Sequence, residues 1–231
     1  MSASYKNPHF LLRRLHSLLG LLPAGGFLCF HMWENSQSHY GAEYYNHYIV
    51  EKIQGMNYVH LAEIFAIALP ILLHTVYGVW IWWKGSSNVM QYGYMRNWAW
   101  WVQRISGFAI FAFLIYHVGW TRIWAEFEPE AAKDMYGRMH VLLANPVGFV
   151  AYVGGLLFAL YHLCNGLWTM AITWGLLVTE KAQKQAQWAA LALFFVLAFM
   201  GIHSLLGFGI LGMEPPAFLM ADNPLTAHIG G

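Results

Sequence analysis

The sequence has few charged residues. Asp, Glu, Lys and Arg make up 10% of its 231 residues, against roughly 25% in ordinary soluble domains. The formal net charge is only +1, whereas binding of nucleic acid depends on a concentrated basic surface. We therefore expect no nucleic-acid partner.

Cysteine is also scarce. The two cysteines, Cys29 and Cys164, both lie in apolar segments, so we do not expect a disulfide framework. What the sequence has in abundance is apolar surface, because 58% of its residues are hydrophobic and 17% are aromatic. This composition is typical of a protein that lies in a membrane, where Trp and Tyr favour the two interfaces with water.

Five stretches of the sequence are long and apolar enough to cross a bilayer, whose core of about 30 Å requires about 20 helical residues. We interpret the first as a retained span, because no small-residue cleavage site follows it. The sequence predicts an all-α integral membrane protein, with a single membrane domain over 1–231 and a non-helical, Pro-rich tail at 213–231. The stretches are Leu15–Trp33, Tyr58–Trp83, Trp98–Trp124, Val147–Leu177 and Trp188–Leu211.

Basic residues are distributed unevenly between the two ends of these predicted helices. Eight of the 12 Lys and Arg residues would lie on one side, whereas most of the acidic residues would lie on the other. The positive-inside rule then places the N-terminus in the cytoplasm and the C-terminus outside the cell membrane. The eight residues are Lys6, Arg13, Arg14, Lys84, Arg96, Arg104, Lys181 and Lys184.

Five histidines lie inside the predicted spans. An ionisable residue within a membrane is costly and is a candidate for function. The alternative for each one is a neutral imidazole that hydrogen-bonds to a neighbouring helix. The five are His31, His74, His117, His162 and His203.

Two of these histidines are predicted to lie close to the outer side of the membrane. His31 precedes Glu34, at the end of the first span, by three residues, and His117 precedes Glu126 by nine. They belong to the first and third helices and form a shallow pair.

Two other histidines are predicted to lie deeper. His74, on the second helix, follows Asn57 by 17 residues, and His162, on the fourth, follows Pro146 by 16. The two pairs are offset by about eleven residues, or roughly 16 Å along the helices. The pattern predicts two stacked bis-histidine sites in a bundle of the first four helices. It leaves His203 without a counterpart at its depth.

A pair of imidazoles can fill both axial positions of a haem iron. The sequence therefore predicts two haems whose filled coordination suits electron transfer, and the lack of a Cys-x-x-Cys-His run predicts non-covalent binding. Glycines near the histidines would leave room for the macrocycles, although close helix contacts also recruit small residues. They are Gly78, Gly107, Gly119 and Gly166.

Several characteristic runs of residues surround these histidines. The runs are RRLHSLLG (13–20), LPILLHTVYG (69–78), YMRNW (94–98), HVGWTR (117–122) and HLCNGLW (162–168). Together they resemble one family, the di-haem cytochrome b subunits of Bacillus-type succinate dehydrogenases. The resemblance covers roughly residues 5–207, in order and with compatible spacing. The related subunits of quinol:fumarate reductases share the bundle and the four ligands but are more distant.

The resemblance implies the pairing that the depths indicate, with His31 and His117 on a distal haem b and His74 and His162 on a proximal haem b. It also implies that the chain anchors a cytoplasmic flavoprotein and an iron–sulfur subunit, so that succinate is oxidised on another subunit. Electrons would pass from succinate through flavin and iron–sulfur centres to the proximal haem, the distal haem and a quinone. In this family the quinone is usually menaquinone.

Haem propionates are anions and require cations or hydrogen-bond donors. By resemblance to the fumarate reductase subunits, His16 and Ser17 would contact the propionates of the proximal haem. Arg104 is a further candidate there, its alternative being a charge that only follows the positive-inside rule. Arg138, in the connection before the fourth helix, is a candidate for the propionates of the distal haem.

Two acidic residues are candidates for the proton transfer that accompanies quinone chemistry. Glu51 precedes the second helix, near a position where relatives have an acidic residue, and its alternative is a solvated loop charge. Glu63 lies within the second helix, where an unpaired charge is costly. We expect it to be protonated or paired, for example with His60, in a structural or a proton-carrying role.

Two other kinds of function remain as alternatives. The chain could be the cytochrome b subunit of another quinone-linked enzyme, such as a hydrogenase, a formate dehydrogenase or a quinol:fumarate reductase. It could also be a small transporter whose histidines relay protons or bind a metal ion. A transporter would bring its histidines to one water-lined site, whereas the haem hypothesis requires two separate layers.

Overall fold

A computed structural model describes residues 8–209 of the chain. Within these residues five helices are long and apolar enough to cross a membrane, and no strand is present. The predicted all-α transmembrane architecture is confirmed, and the predicted tail at 213–231 lies outside the described residues. The helices are α1 (His9–Tyr40), α2 (Val59–Lys84), α3 (Met95–Phe127), α4 (Pro146–Thr173) and α5 (Glu180–Gly207).

The helix ends differ from the ends of the apolar stretches. α5 begins at Glu180, whereas the apolar stretch begins at Trp188. The intervening residues, EKAQKQAQ, are polar but are good helix formers, so hydropathy alone excludes them. α4 ends at Thr173, and the chain turns at Gly175, whose φ of 77° suits a glycine at a helix C-terminus.

Three of these helices contain a π-helical turn, at Gly20–Gly25 in α1, Glu63–Ala68 in α2 and Gly119–Ile123 in α3. Pro23 lies inside the first of these turns and has no N–H to donate to a regular helical hydrogen bond. Such turns are frequent at functional sites. The one in α3 begins two residues after His117.

A short helix, Met135–Ala144, lies in the connection between α3 and α4. Asp134 caps its N-terminus, since the carboxylate accepts a hydrogen bond from the Gly137 N–H at 2.9 Å. The same oxygen accepts a hydrogen bond from the Asn46 amide at 2.7 Å. This cap therefore joins the connection after α3 to the connection after α1.

The chain divides into two compact units, each built from parts of several helices. Unit 1 comprises the described residues of Met1–Leu28, together with His60–Phe111 and Leu157–Val196. Unit 2 comprises Cys29–Val59, Ala112–Leu156 and the described residues of Leu197–Gly231. Unit 2 has a buried core made of Tyr45, Val50, Met139, Leu143, Tyr152, Leu205 and Phe208.

Candidate haem-ligand sites

In unit 1 the structure brings His74 of α2 and His162 of α4 together. Their ring centroids are 6.1 Å apart and their planes meet at 82°. Both residues were predicted as ligands of one haem. Each lies on a different helix, so the site depends on how α2 and α4 pack within unit 1.

Both imidazoles of unit 1 are held through their Nδ1 atoms. The His74 Nδ1 lies 2.8 Å from the backbone carbonyl oxygen of His16. The His162 Nδ1 lies 3.1 Å from the carbonyl oxygen of Gln103 and 3.1 Å from the Ser106 hydroxyl. An Nδ1–H that donates to a carbonyl leaves Nε2 as the unprotonated, ligating nitrogen. Both histidines are therefore oriented as metal ligands usually are.

Gln103 on α3 further fixes the position of α4. Its side-chain amide donates to the carbonyl of His162 at 3.0 Å and accepts a hydrogen bond from Asn165 at 2.7 Å. Gln103 therefore supports the site, a role that was not predicted from the sequence. The sequence does contain one indication of this role, because Gln103 precedes Ser106 by three residues and therefore lies on the same face of α3.

Two glycines allow the helices to approach these imidazoles. A Cβ atom at Gly20 would lie 2.7 Å from the His74 Nδ1 and closer still to its Cε1. A Cβ atom at Gly107 would lie 3.2 Å from the His162 Cε1. Gly107 was predicted to make room near a ligand, whereas Gly20 was not, because only the packing of α1 on α2 relates it to His74.

The two residues proposed for propionate contacts in α1 have different surroundings. The His16 ring stacks on the His74 ring, with centroids 3.9 Å apart, and its buried Nδ1 makes no hydrogen bond. The Ser17 hydroxyl instead donates to the Arg14 carbonyl at 2.9 Å and accepts from the Trp174 indole N–H at 3.1 Å. His16 thus lies at the site, whereas the Ser17 hydroxyl is engaged elsewhere in unit 1.

Arg104 packs among aromatic residues of unit 1. Its guanidinium carbon lies 3.3 Å from the ring centroid of Trp100, and the side chain lines a cavity of about 400 Å³ together with Trp82 and Trp101. Its Nε is buried and makes no hydrogen bond with the protein. A buried cationic N–H of this kind is suited to an anionic partner.

In unit 2 the structure brings His31 of α1 and His117 of α3 together, with ring centroids 5.8 Å apart and planes at 68°. The His117 Nδ1 lies 3.1 Å from the hydroxyl oxygen of Tyr152. That hydroxyl donates to the Met139 sulfur at 3.7 Å, so its oxygen is available to accept the N–H of His117. Again Nε2 is the nitrogen left to ligate.

The second partner of His31 is a buried carboxylate. The His31 Nδ1 lies 3.6 Å from Glu34 Oε2, and Glu34 is only 6% exposed. Tyr45, whose hydroxyl donates to Asn35 at 3.1 Å, has a raised pKa because it is buried and because Glu34 is near. From the sequence alone, Glu34 marks only the end of a predicted span. Its spacing of three residues from His31 indicates that both lie on one face of α1.

Arg138 lies against the end of α3 within unit 2. Its guanidinium carbon is 4.1 Å from the ring centroid of Trp124, and its Nε donates to the carbonyl of Trp120 at 3.2 Å. Its Nη2 is buried and makes no hydrogen bond with the protein. Like Arg104, it has a buried donor suited to an anion.

The two acidic candidates have partners of their own. Glu51 is exposed, and its carboxylate lies 2.9 Å from the His47 Nδ1. Glu63 lies 3.4 Å from the His60 Nδ1, the partner that the sequence analysis named as an example.

The two histidine pairs fit the axial ligands of a haem. Two collinear metal–imidazole bonds of about 2.0–2.1 Å to the same ion place the two ring centroids about 6 Å apart. The observed separations are 6.1 Å and 5.8 Å. Within residues 8–209 no group of three or more His, Cys, Asp and Glu residues could hold a metal ion. The described residues thus bring the four predicted ligands together as two pairs.

Comparison with known proteins identifies one family and one curated relative. The family of succinate dehydrogenase/fumarate reductase transmembrane subunits matches residues 86–201. The chain is 38% identical over 202 residues to the succinate dehydrogenase cytochrome b558 subunit of Bacillus subtilis (strain 168), and the alignment covers 87% of this chain and 98% of that subunit. No solved structure matches the chain.

Proposed function

Since the chain belongs to the family of succinate dehydrogenase/fumarate reductase transmembrane subunits, we propose that it is the haem b-containing anchor of a succinate:quinone oxidoreductase. In this function it binds a flavoprotein subunit and an iron–sulfur subunit, which together oxidise succinate. It passes their electrons by way of two haems to menaquinone or another quinone. The proposed location is the cell membrane, with the N-terminus in the cytoplasm.

The observation that carries this proposal is the geometry of the two histidine pairs. His74 and His162 lie in unit 1, and His31 and His117 lie in unit 2. Both separations suit two axial imidazoles, and the Nδ1 atoms of His74, His117 and His162 lie within hydrogen-bond distance of an oxygen acceptor. Each unit thus holds one pair of imidazoles, which supports the haem hypothesis.

The residues of the chain have distinct tasks in this function. A haem held by His74 and His162, and another held by His31 and His117, would supply one-electron transfer. The His16 carbonyl and the Gln103 carbonyl hold the two imidazoles of unit 1 in their ligating tautomer. The buried N–H groups of Arg104 and Arg138 are suited to the propionates.

Quinone chemistry also requires a proton donor or acceptor. We retain Glu51 for this role on the outer side, where its carboxylate is exposed beside His47. His16 and Ser17 remain the proposed contacts of the proximal propionates. The stacking of the His16 ring on the His74 ring supports the assignment of His16.

The number of haems tests the function directly. We expect the purified complex to contain two haem b per copy of this chain, measured by the pyridine haemochrome spectrum together with protein quantification. Succinate is expected to reduce at least one haem, because electrons arrive from the iron–sulfur subunit. A complex without haem would contradict the proposal, and haems that respond to hydrogen or formate but not to succinate would favour another quinone-linked dehydrogenase.

Tyr152→Phe is expected to raise the midpoint potential of the haem held by His31 and His117. The Tyr152 hydroxyl accepts the Nδ1–H of His117, and this bond makes the imidazole a stronger donor to the oxidised iron. Its loss, at about 0.5–1.5 kcal/mol, corresponds to about 20–60 mV for one electron. A redox titration followed by haem absorbance measures the shift.

Tyr161→Phe is the matched control for this measurement. The Tyr161 hydroxyl donates to the Ala99 carbonyl at 3.3 Å within unit 1, so its removal also deletes one hydrogen bond of a tyrosine on α4. We expect both potentials to stay unchanged in this control. Equal shifts in the two variants, or no shift in Tyr152→Phe, would contradict the assigned contact.

A further inference from the structure

Unit 2 contains a second pair of histidines that haem binding does not use. His39 lies at the end of α1 and His203 lies in α5, and their ring centroids are 5.3 Å apart with planes at 67°. The sequence predicts no counterpart for His203. The structure provides one because the last turn of α1 contacts α5.

The contact between these two helix segments is tight. The Ser38 hydroxyl donates to the Ser204 carbonyl at 2.9 Å, and both serine side chains are buried. A Cβ atom at Gly207 would collide with the Ser38 hydroxyl, so this stretch of α5 lies directly on the end of α1. Since Ser38 and Ser204 each adjoin one of the histidines, the hydrogen bond fixes the positions of both.

The two imidazoles are also oriented by their neighbours. The His39 ring lies 4.3 Å from the Tyr40 ring, and the Phe199 ring stacks on His203 at 6.2 Å. The Nδ1 of His39 is buried. Both side chains are half-buried, so that an ion can reach the rings from the surface.

The rings of His39 and His203 are closer together than the rings of the two proposed haem-ligand pairs. Two metal–imidazole bonds of about 2.0–2.1 Å that meet at a tetrahedral angle place the ring centroids roughly 5 Å apart. The observed 5.3 Å agrees with this angle, whereas the 5.8 Å and 6.1 Å of the other pairs are closer to collinear bonds. The spacing of His39 and His203 therefore suits a metal ion that prefers tetrahedral coordination.

We propose that His39 and His203 bind one divalent transition metal ion of the Zn²⁺ type, with water completing its coordination. Imidazole nitrogen suits Zn²⁺, Cu²⁺ and Ni²⁺, whereas Mg²⁺ and Ca²⁺ require oxygen ligands. No Cys, Asp or Glu within residues 8–209 completes a three-ligand group here, so the ion is exchangeable rather than a permanent structural part. This site is independent of the proposed haem function.

Zinc titration tests the site. The complex, purified without a polyhistidine tag and stripped with a chelator, is titrated with Zn²⁺ against a fluorescent zinc indicator. We expect one Zn²⁺ per chain, and at least tenfold weaker binding in His39→Gln and in His203→Gln, with the haem spectrum unchanged as proof of folding. Wild-type affinity in both variants, or no Zn²⁺ bound by the wild type, would overturn the proposal.

His47→Gln is the matched control, because His47 and Glu51 form an exposed pair four residues apart that offers the ion an alternative site. We expect its zinc affinity to equal that of the wild type, and a loss of binding in this variant alone would place the ion elsewhere.

A second measurement requires no variant. Cu²⁺ added at one equivalent is expected to show the electron paramagnetic resonance splitting of two equatorial imidazole nitrogens, and a spectrum with one nitrogen or none would contradict the paired site.

Discussion

Replacement of His74 or His162 by alanine is expected to remove one of the two proposed haems and to leave the other with its spectrum largely intact. The two imidazoles face each other within unit 1, so that removal of either one leaves a haem with a single axial ligand. The other pair, His31 and His117, lies in unit 2. The haem proposed there would therefore keep both of its histidine ligands. The measurement is the haem content per chain, followed by a redox titration of the haem that remains.

The identity of the remaining haem can be established with a second substitution. In the His74→Ala background, Tyr152→Phe is expected to shift the remaining potential, because the Tyr152 hydroxyl contacts His117. In a His31→Ala background, the same substitution is expected to leave the midpoint potential of the remaining haem unchanged. The pairing of ligands would be wrong if both backgrounds gave the same response.

His203→Gln is the matched control for the ligand variants. His203 is also a histidine within a membrane-spanning helix, but it lies beside His39 rather than beside a proposed haem ligand. Both haems are expected to remain in this variant. Loss of a haem from it would show that haem content reports the general packing of the chain, and the ligand assignments would then need another test.

The haem lost from the His74→Ala and His162→Ala variants is expected to be the one that receives electrons from the iron–sulfur subunit. Reduction of the remaining haem by succinate should therefore slow strongly, although a chemical reductant such as dithionite still reduces it. Rapid mixing with succinate, followed at the haem absorbance maximum, measures this difference. Unchanged reduction by succinate would instead place the pair in unit 1 farther from the electron donor.

The membrane architecture could be predicted from the sequence because it depends on length and hydropathy. A span requires about 20 apolar residues in any fold, and all five predicted stretches correspond to helices within the described residues. The start of α5 at Glu180 could not be predicted in this way. Its first turns are polar, and helix propensity rather than transfer into lipid determines them.

The proximity of His31 to His117 and of His74 to His162 was predictable for a similar reason, because depth along a helix follows directly from residue count. What residue count does not specify is the rotation of each helix about its axis. Tyr152 faces His117, and Gln103 faces His162, only because α3 and α4 present particular faces to each other. The contact between His39 and His203 has the same origin, since it depends on where the end of α1 meets α5.

Gly20→Ala is expected to disturb the haem of unit 1 as strongly as loss of a ligand. The added Cβ would lie 2.7 Å from the His74 Nδ1 and closer to its Cε1, so the imidazole would have to move. That ring is anchored by its contact with the His16 carbonyl at 2.8 Å. Movement therefore breaks the bond that holds the ligating tautomer, and we expect at least a several-fold loss of occupancy of this haem.

Gly26→Ala separates this steric effect from a change in helix stability. Both glycines belong to α1 and to unit 1, but a Cβ at Gly26 would meet nothing within 4 Å. In a regular helix the change from glycine to alanine is stabilising by roughly 0.5–1 kcal/mol, so intrinsic propensity favours both variants. Haem content per chain is expected to fall only in Gly20→Ala. An equal loss in both variants would show that the flexibility of α1, and not the space beside His74, controls haem binding.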